Sequence, residues 1–232
     1  GEAGFHFHWG KPSWWGEETI WESYEGIRKL DFDLGCAEIT IRTGDGFSLE
    51  AEGVNSSKFQ SRQDGDTWKI QCPDWGEGGF SLTERWEREA PRISITVPQD
   101  FVAQELELGV GMGTLDAQGL KAQESEITVG MGEMILSDFR SGDCEMDVGM
   151  GTLELAGDIR GKSSIHCGMG SARLDLEGKP GDYDYTARAG IGTVEVDGQR
   201  TGGLGGDISK DTGAPNRFQI DCGMGEVVLR FQ

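Results

Sequence analysis

Across residues 111–232 apolar and polar side chains alternate with a period of two, and a Gly-Met-Gly triplet interrupts the alternation at fixed intervals. The triplets are Gly111-Met112-Gly113, Gly130-Met131-Gly132, Gly149-Met150-Gly151 and Gly168-Met169-Gly170, each starting 19 residues after the last. Gly190-Ile191-Gly192 follows after 22 residues and Gly223-Met224-Gly225 after 33. A constant period near 20 residues marks a repeat architecture. Counting from the first glycine, position 5 is Leu115, Met134, Leu153, Ala172, Val194 and Val227, and position 7 is Ala117, Leu136, Leu155, Leu174, Val196 and Leu229. Positions 17 and 19 hold Ile127, Met146, Ile165 and Val129, Val148, Cys167. This is strand periodicity, and no helical spacing fits the columns.

The apolar phase slips between positions 2 and 5, where the second glycine sits. A ribbon that turns a corner while keeping its apolar side inward needs such a break, and glycine reaches backbone angles that other residues avoid. Each repeat therefore predicts a strand, a glycine corner, a second strand and a polar turn near positions 8 to 13. The fold class is all-β: a β-solenoid (single-stranded β-helix or β-roll) of six or seven coils of about 19 residues, hydrogen-bonded at roughly 4.8 Å. Such a coil, about 60 Å around, encloses a thin core between two faces. Stacking predicts an internal ladder of Met112, Met131, Met150, Met169 and Met224 beside Ile191. A methionine row also suits soft metals, but core packing explains it more simply because Met134 and Met146 fall on inward positions too. At position 6, Glu154, Arg173 and Glu195 alternate in charge in successive coils.

The first half differs in kind. All seven tryptophans occur by residue 86. Residues 1–26 are an aromatic-rich segment read as a cap or tail, and 27–232 as one solenoid domain, with irregular coils and a hairpin over 27–110 and regular coils over 111–232. Leu30, Phe32 and Leu34 lead to Gly35-Cys36-Ala37, a softened triplet, and then to Ile39 and Ile41, so the solenoid starts there. Lys58–Gln63 and Thr67–Cys72 flank Asp64-Gly65-Asp66, a hairpin signal. This hairpin is an antiparallel β elaboration of the N-terminal half. Residues 73–90 form a loop, with a helical turn over Thr83–Glu89, and Arg92–Pro98 is a strand. The segment 198–216 folds over the C-terminal end, or leaves there an edge open to self-association.

Charge narrows the partners. With 41 acidic against 21 basic residues the net charge is −20, which disfavours nucleic acid and anionic membranes. No stretch approaches a membrane span, and no signal peptide opens the chain. The chain begins with Gly1, consistent with a leader or anchor removed upstream. The five cysteines are expected as free, buried thiols; Cys167 and Cys222, with Ala189 between them, should lie about 9.6 Å apart. His6-x-His8 lacks a third ligand for zinc, and Gly202–Asp207 holds one copy of a calcium-repeat motif that needs stacked copies, so no metal or cofactor is expected. Glu124, Glu126, Asp143 and Glu145 read as a solvated acidic face. His166 points outward, with no nucleophile elbow or phosphate loop in the chain, so no catalytic residue is assigned.

The triplets, the Ile93–Pro98 strand and the Asp33-Leu34-Gly35-Cys36-Ala37-Glu38-Ile39 opening resemble the bacterial adhesin-like family of β-strand repeat proteins, DUF4097, over about residues 27–232. The resemblance implies a surface protein, often held by an N-terminal membrane segment, without an assigned ligand and without catalytic residues to carry over. The leading reading is a non-enzymatic cell-surface interaction domain for a glycan or protein ligand, contacted through Trp14, Trp15, Trp75 and Trp86. A sensory or scaffolding ectodomain is the alternative. A polysaccharide-active enzyme is the third reading; it requires a cleft with two carboxylates about 5–9.5 Å apart.

Overall fold

The computed structural model describes residues 13–72, 90–202 and 205–232. The expected helical turn at Thr83–Glu89 therefore lies outside the described residues. In the first half the strands are β1 (Trp15–Tyr24), β2 (Lys29–Leu34), β3 (Glu38–Gly44), β4 (Phe47–Val54), β5 (Gln60–Asp64), β6 (Thr67–Gln71), β7 (Arg92–Pro98), β8 (Ala103–Val110) and β9 (Thr114–Gln118). Then come β10 (Lys121–Val129), β11 (Glu133–Ser141), β12 (Cys144–Val148), β13 (Thr152–Ile159), β14 (Lys162–Cys167) and β15 (Ser171–Leu176). The last are β16 (Tyr183–Ala189), β17 (Thr193–Val196), β18 (Gln199–Arg200), β19 (Gly206–Lys210), β20 (Asn216–Cys222) and β21 (Glu226–Phe231).

The regular coils stack as a parallel β-solenoid, each residue over the one 19 positions on. Ile127 lies on Met146 and Met146 on Ile165, while Met134 lies on Leu153 and Leu153 on Ala172. These columns are fully buried because the inward rows of both faces meet. Positions 9 to 12 are not the polar turn expected there. Lys121-Ala122 pairs with Arg140-Ser141, and Arg140-Ser141 with Asp158-Ile159, as a short third side. That side buries Leu120, Ala122, Phe139, Ile159 and Leu176, so the coil is three-sided. The bend into it uses left-handed backbone at Gly119 (φ 79°) and Asp138 (φ 48°), which is why small or Asx residues stand there.

Chain order and stacking order diverge at both ends. On one face the parallel strands run β6-β2-β8-β10-β12-β14-β20-β16, and on the other β7-β3-β9-β11-β13-β15-β21-β17. These make eight levels among the described residues. The coil at 29–44 is indeed an early one, but β6 and β7 lie outside it. The C-terminal coil is inserted between β14/β15 and β16/β17. Gln232 therefore does not end at an open edge, as the self-association expectation required. Cys167 and Cys222 are directly stacked neighbours, not separated by Ala189. In the charge column Arg173 lies between Glu154 and Val228, and Val228 separates it from Glu195.

Antiparallel strands cover the stack ends. The expected hairpin is β5–β6, with Gly65 left-handed at its turn. β4 and then β1 extend the other face outward from β7, while β19 and β18, from the segment expected to cover the C-terminal end, pair with β16 and β17. Aromatic clusters plug the core at each end. Trp68 packs on Phe32 and Tyr24 and donates its indole N–H to Ser61 Oγ at 2.9 Å. Tyr183 stacks on Phe218 and on Phe231, and its single hydroxyl proton is shared between the carbonyls of Ile159 and Glu177.

Candidate functional site

The corner formed by the triplets is the feature that repeats most faithfully, and its backbone explains what it presents. Inside the turn, position 19 is buried at Val129, Val148, Cys167, Cys222 and Ala189. The chain then bends, and two N–H groups converge on one carbonyl of the coil below. Met150 and Gly151 both donate to Gly130 O at 2.8 and 3.0 Å, Met169 and Gly170 to Gly149 O at 2.8 and 3.0 Å, and Met224 and Gly225 to Gly168 O at 2.7 and 3.1 Å. The hydrogen-bond ladder thus runs around the corner without a gap.

The middle residue stands at the apex and points away from the core. Met150 is 57% exposed, Met169 56%, Met224 56% and Ile191 61%, while Met112 and Met131 are half-buried. The expected internal methionine ladder is therefore an external ridge. Strict alternation from position 19 would have turned position 2 inward, but the bend begins one residue earlier, and an apex residue faces outward because the enclosed angle has no room for it. In stacking order the ridge reads Met112, Met131, Met150, Met169, Met224, Ile191, about 24 Å long at roughly 4.8 Å per coil. The flanking glycines at the phase slip mark each apex in the sequence, but not the side to which its residue points.

Beside the ridge runs a shallow groove of about 910 Å³. Its floor includes the first glycines Gly130, Gly149, Gly168, Gly223 and Gly190, and it is bordered by the position-18 row Thr128, Asp147, His166, Asp221 and Arg188, which Asp207 of β19 extends. His166 does face outward and meets Asp221 (Nδ1 to Oδ2, 3.4 Å), and Arg188 lies in register between Asp221 and Asp207. On the same face Asp31, Glu107, Glu126 and Glu145 stack directly. Burial first, then the negative charge of Asp31 and a hydrogen bond to it, hold the Glu107 carboxyl above the usual range, with Glu126 and Glu105 adding to the effect. Burial and Asp31 likewise raise Asp33.

A family model, Toastrack DUF4097, matches residues 27–181, two thirds of the chain. The chain belongs to the Toastrack family. This Toastrack domain also resembles solved structures. One from Clostridium sporogenes, provisionally described as a cell adhesion protein, has 17% identity and a TM-score of 0.55, covering 93% of this chain and 99% of its own. A provisional adhesin from Bacteroides fragilis has 13% identity and a TM-score of 0.38 over 93% and 98%. A provisional lipid-binding protein from Parabacteroides distasonis has 12% and 0.36 over 93% and 97%. No curated protein matches the chain.

Of the four tryptophans expected to contact ligand, the two among the described residues, Trp14 and Trp15, are buried in this Toastrack domain. Trp14 and Trp15 are 1% and 8% exposed; Trp15 donates its indole N–H to Cys36 O at 3.1 Å, and Trp14 packs on Phe59. Their burial leaves no free indole face, because β1 folds onto the edge of β4. Trp75, Trp86, His6 and His8 lie outside the described residues, as do Gly203 and Leu204 of the calcium-like motif. All five cysteines are free and buried. Burial pushes the Cys36 and Cys167 thiols up to about 11 and those of Cys72 and Cys144 up to about 12. Among the described residues no three His, Cys, Asp or Glu side chains converge as metal ligands, and no helix is long and apolar enough to cross a membrane.

Proposed function

We propose that this Toastrack chain is a non-enzymatic interaction domain working at the cell surface, and that its contact face is the methionine ridge with the adjoining groove. One observation carries this. Four large apolar side chains, Met150, Met169, Met224 and Ile191, stand in one line on the outside, each more than half exposed. Scattered exposed apolar residues are ordinary, whereas a contiguous apolar row rimmed by polar residues marks an interaction surface. Methionine suits such a surface because its unbranched, polarizable side chain adapts to different partners. The provisional adhesion role of the Clostridium sporogenes protein of like fold agrees with this reading.

The test is retention of the purified domain on isolated bacterial envelopes and on extracellular matrix. A variant with Met150→Ser, Met169→Ser and Met224→Ser is expected to bind at least fivefold less while melting at the same temperature, since these side chains lie outside the core. Trp75→Ala with Trp86→Ala is the comparison. Loss with the tryptophan pair and none with the methionine triple would overturn the assignment of the face.

A further inference from the structure

Resting on that reading, we infer that the occupant of the ridge and groove is a basic amphipathic α-helix of a partner polypeptide. Three features of the face select it. The first is the state of the backbone. The N–H groups of Met131, Met150, Met169 and Met224 are all consumed in coil-to-coil bonds, to Gly111, Gly130, Gly149 and Gly168 respectively. The corner therefore has no such donor for an added strand. An extended peptide laid along it would find no such donor for its own carbonyls, each left buried and unpaired at about 1–3 kcal/mol. A helix satisfies its backbone internally and offers only side chains.

The second feature is spacing. A helix rises about 5.4 Å per turn, and the ridge repeats about every 4.8 Å. The mismatch accumulates to only about 2 Å over four coils, so side chains at i, i+3/i+4 and i+7 interleave with successive methionines. The ridge length of about 24 Å matches about 16 helical residues. The third feature is charge. The groove carries Asp147, Asp221 and Asp207 against Arg188, and the next outward row carries Glu126 and Glu145. On a chain of net charge −20 this face favours a cationic polar side on the helix. It disfavours an anionic lipid surface, which the same apolar row would otherwise suit.

The experiment uses the full chain and a fluorescent 18-residue Leu/Lys peptide with its leucines on one helical face. Fluorescence anisotropy is the readout, with circular dichroism of the bound peptide. The comparison peptides are a Leu/Glu peptide of the same pattern and a Leu/Lys peptide of equal composition interrupted by proline so that it cannot form a helix. Co-sedimentation with zwitterionic and with anionic vesicles is measured alongside.

The Leu/Lys helix is expected to bind with micromolar affinity and gain helicity. The Leu/Glu and proline-interrupted peptides should bind at least tenfold more weakly. The triple Met→Ser variant keeps the protein's charge and should weaken Leu/Lys binding at least tenfold, which adventitious electrostatic adsorption would not show. Equal binding by the proline-interrupted peptide, indifference to the methionine substitutions, or co-sedimentation with vesicles would each overturn the helix assignment. The two proposals fail separately. Envelope retention lost in the triple variant without any peptide discrimination keeps the ridge as contact face and rejects the helix. Peptide discrimination with unchanged envelope retention rejects only the adhesion reading.

Discussion

At Gly151 one methyl group decides whether two coils can touch. A Cβ there would lie 2.0 Å from the carbonyl oxygen of Gly132, and at Gly170 it would lie 1.9 Å from that of Gly151. The requirement is proximity along the stack. The triplet glycines are absent from the residues with left-handed φ, so the conformational freedom inferred from their spacing is not what selects them. At the first glycine of the fourth triplet, Gly168, the nearest oxygen would be 3.3 Å away, a tight contact that a shift of a few tenths of an ångström relieves. Gly151→Ala is therefore expected to destabilise the protein by more than about 3 kcal/mol, as backbone clashes in a packed interior do, and Gly168→Ala by less than about 1 kcal/mol. Urea unfolding of the two variants reads the difference. The place of each glycine was plain from the period, but its reason needed the neighbouring coil, which only stacking brings near.

Between elements, parallel in-register stacking lines up identical chemistry, for better and worse. It piles Met146 on Ile165 in the core, and it also piles Asp31, Glu107, Glu126 and Glu145 on the surface. Like charges directly across a ladder cost about 0.2–1 kcal/mol each. Because the folded protein raises the Glu107 pKa, it binds that proton more tightly than the unfolded chain does. Stability is then gained as pH falls from neutrality through the raised pKa and lost again as pH rises. The melting temperature is expected to climb between pH 7 and the upper carboxylate range, and Glu107→Gln to flatten that climb and raise stability at pH 7 by a few tenths of a kcal/mol. A melting curve independent of pH in the wild type would contradict this. The acidic columns were legible from the 19-residue offset alone. That Asp31 of the first coil joins them was not, because its neighbour in space, Glu107, is far away along the chain.

For the whole molecule, the order of the coils decides its cooperativity. In a simple solenoid the last repeat frays without disturbing the rest. Here β20 and β21 are sandwiched between β14/β15 and β16/β17, so the last residues of the chain hold the preceding coil in place. Tyr183, the aromatic plug at this end, lies against Phe218 and Phe231 of that inserted coil. Deleting residues 214–232 is expected to remove hydrogen-exchange protection from Tyr183–Val196 as well, while β10 to β13 stay protected. Retained protection in 183–196 would mean that the earlier coil can dock directly on β14 and β15.

Period two, the 19-residue repeat and the paired glycines are properties of neighbouring residues, and from them alone follow the all-β class, the corners, the inward columns and the burial of the cysteines that stand in those columns. Tertiary structure alone decided which coil lies on which, that the coil has a short buried third side, and that the methionines stand outside. The physical reason is the same in each case. Alternation says which residues share a side of a strand, but at a bend the two sides exchange places. Hydrogen bonding between coils, too, is blind to how far apart its partners lie along the chain.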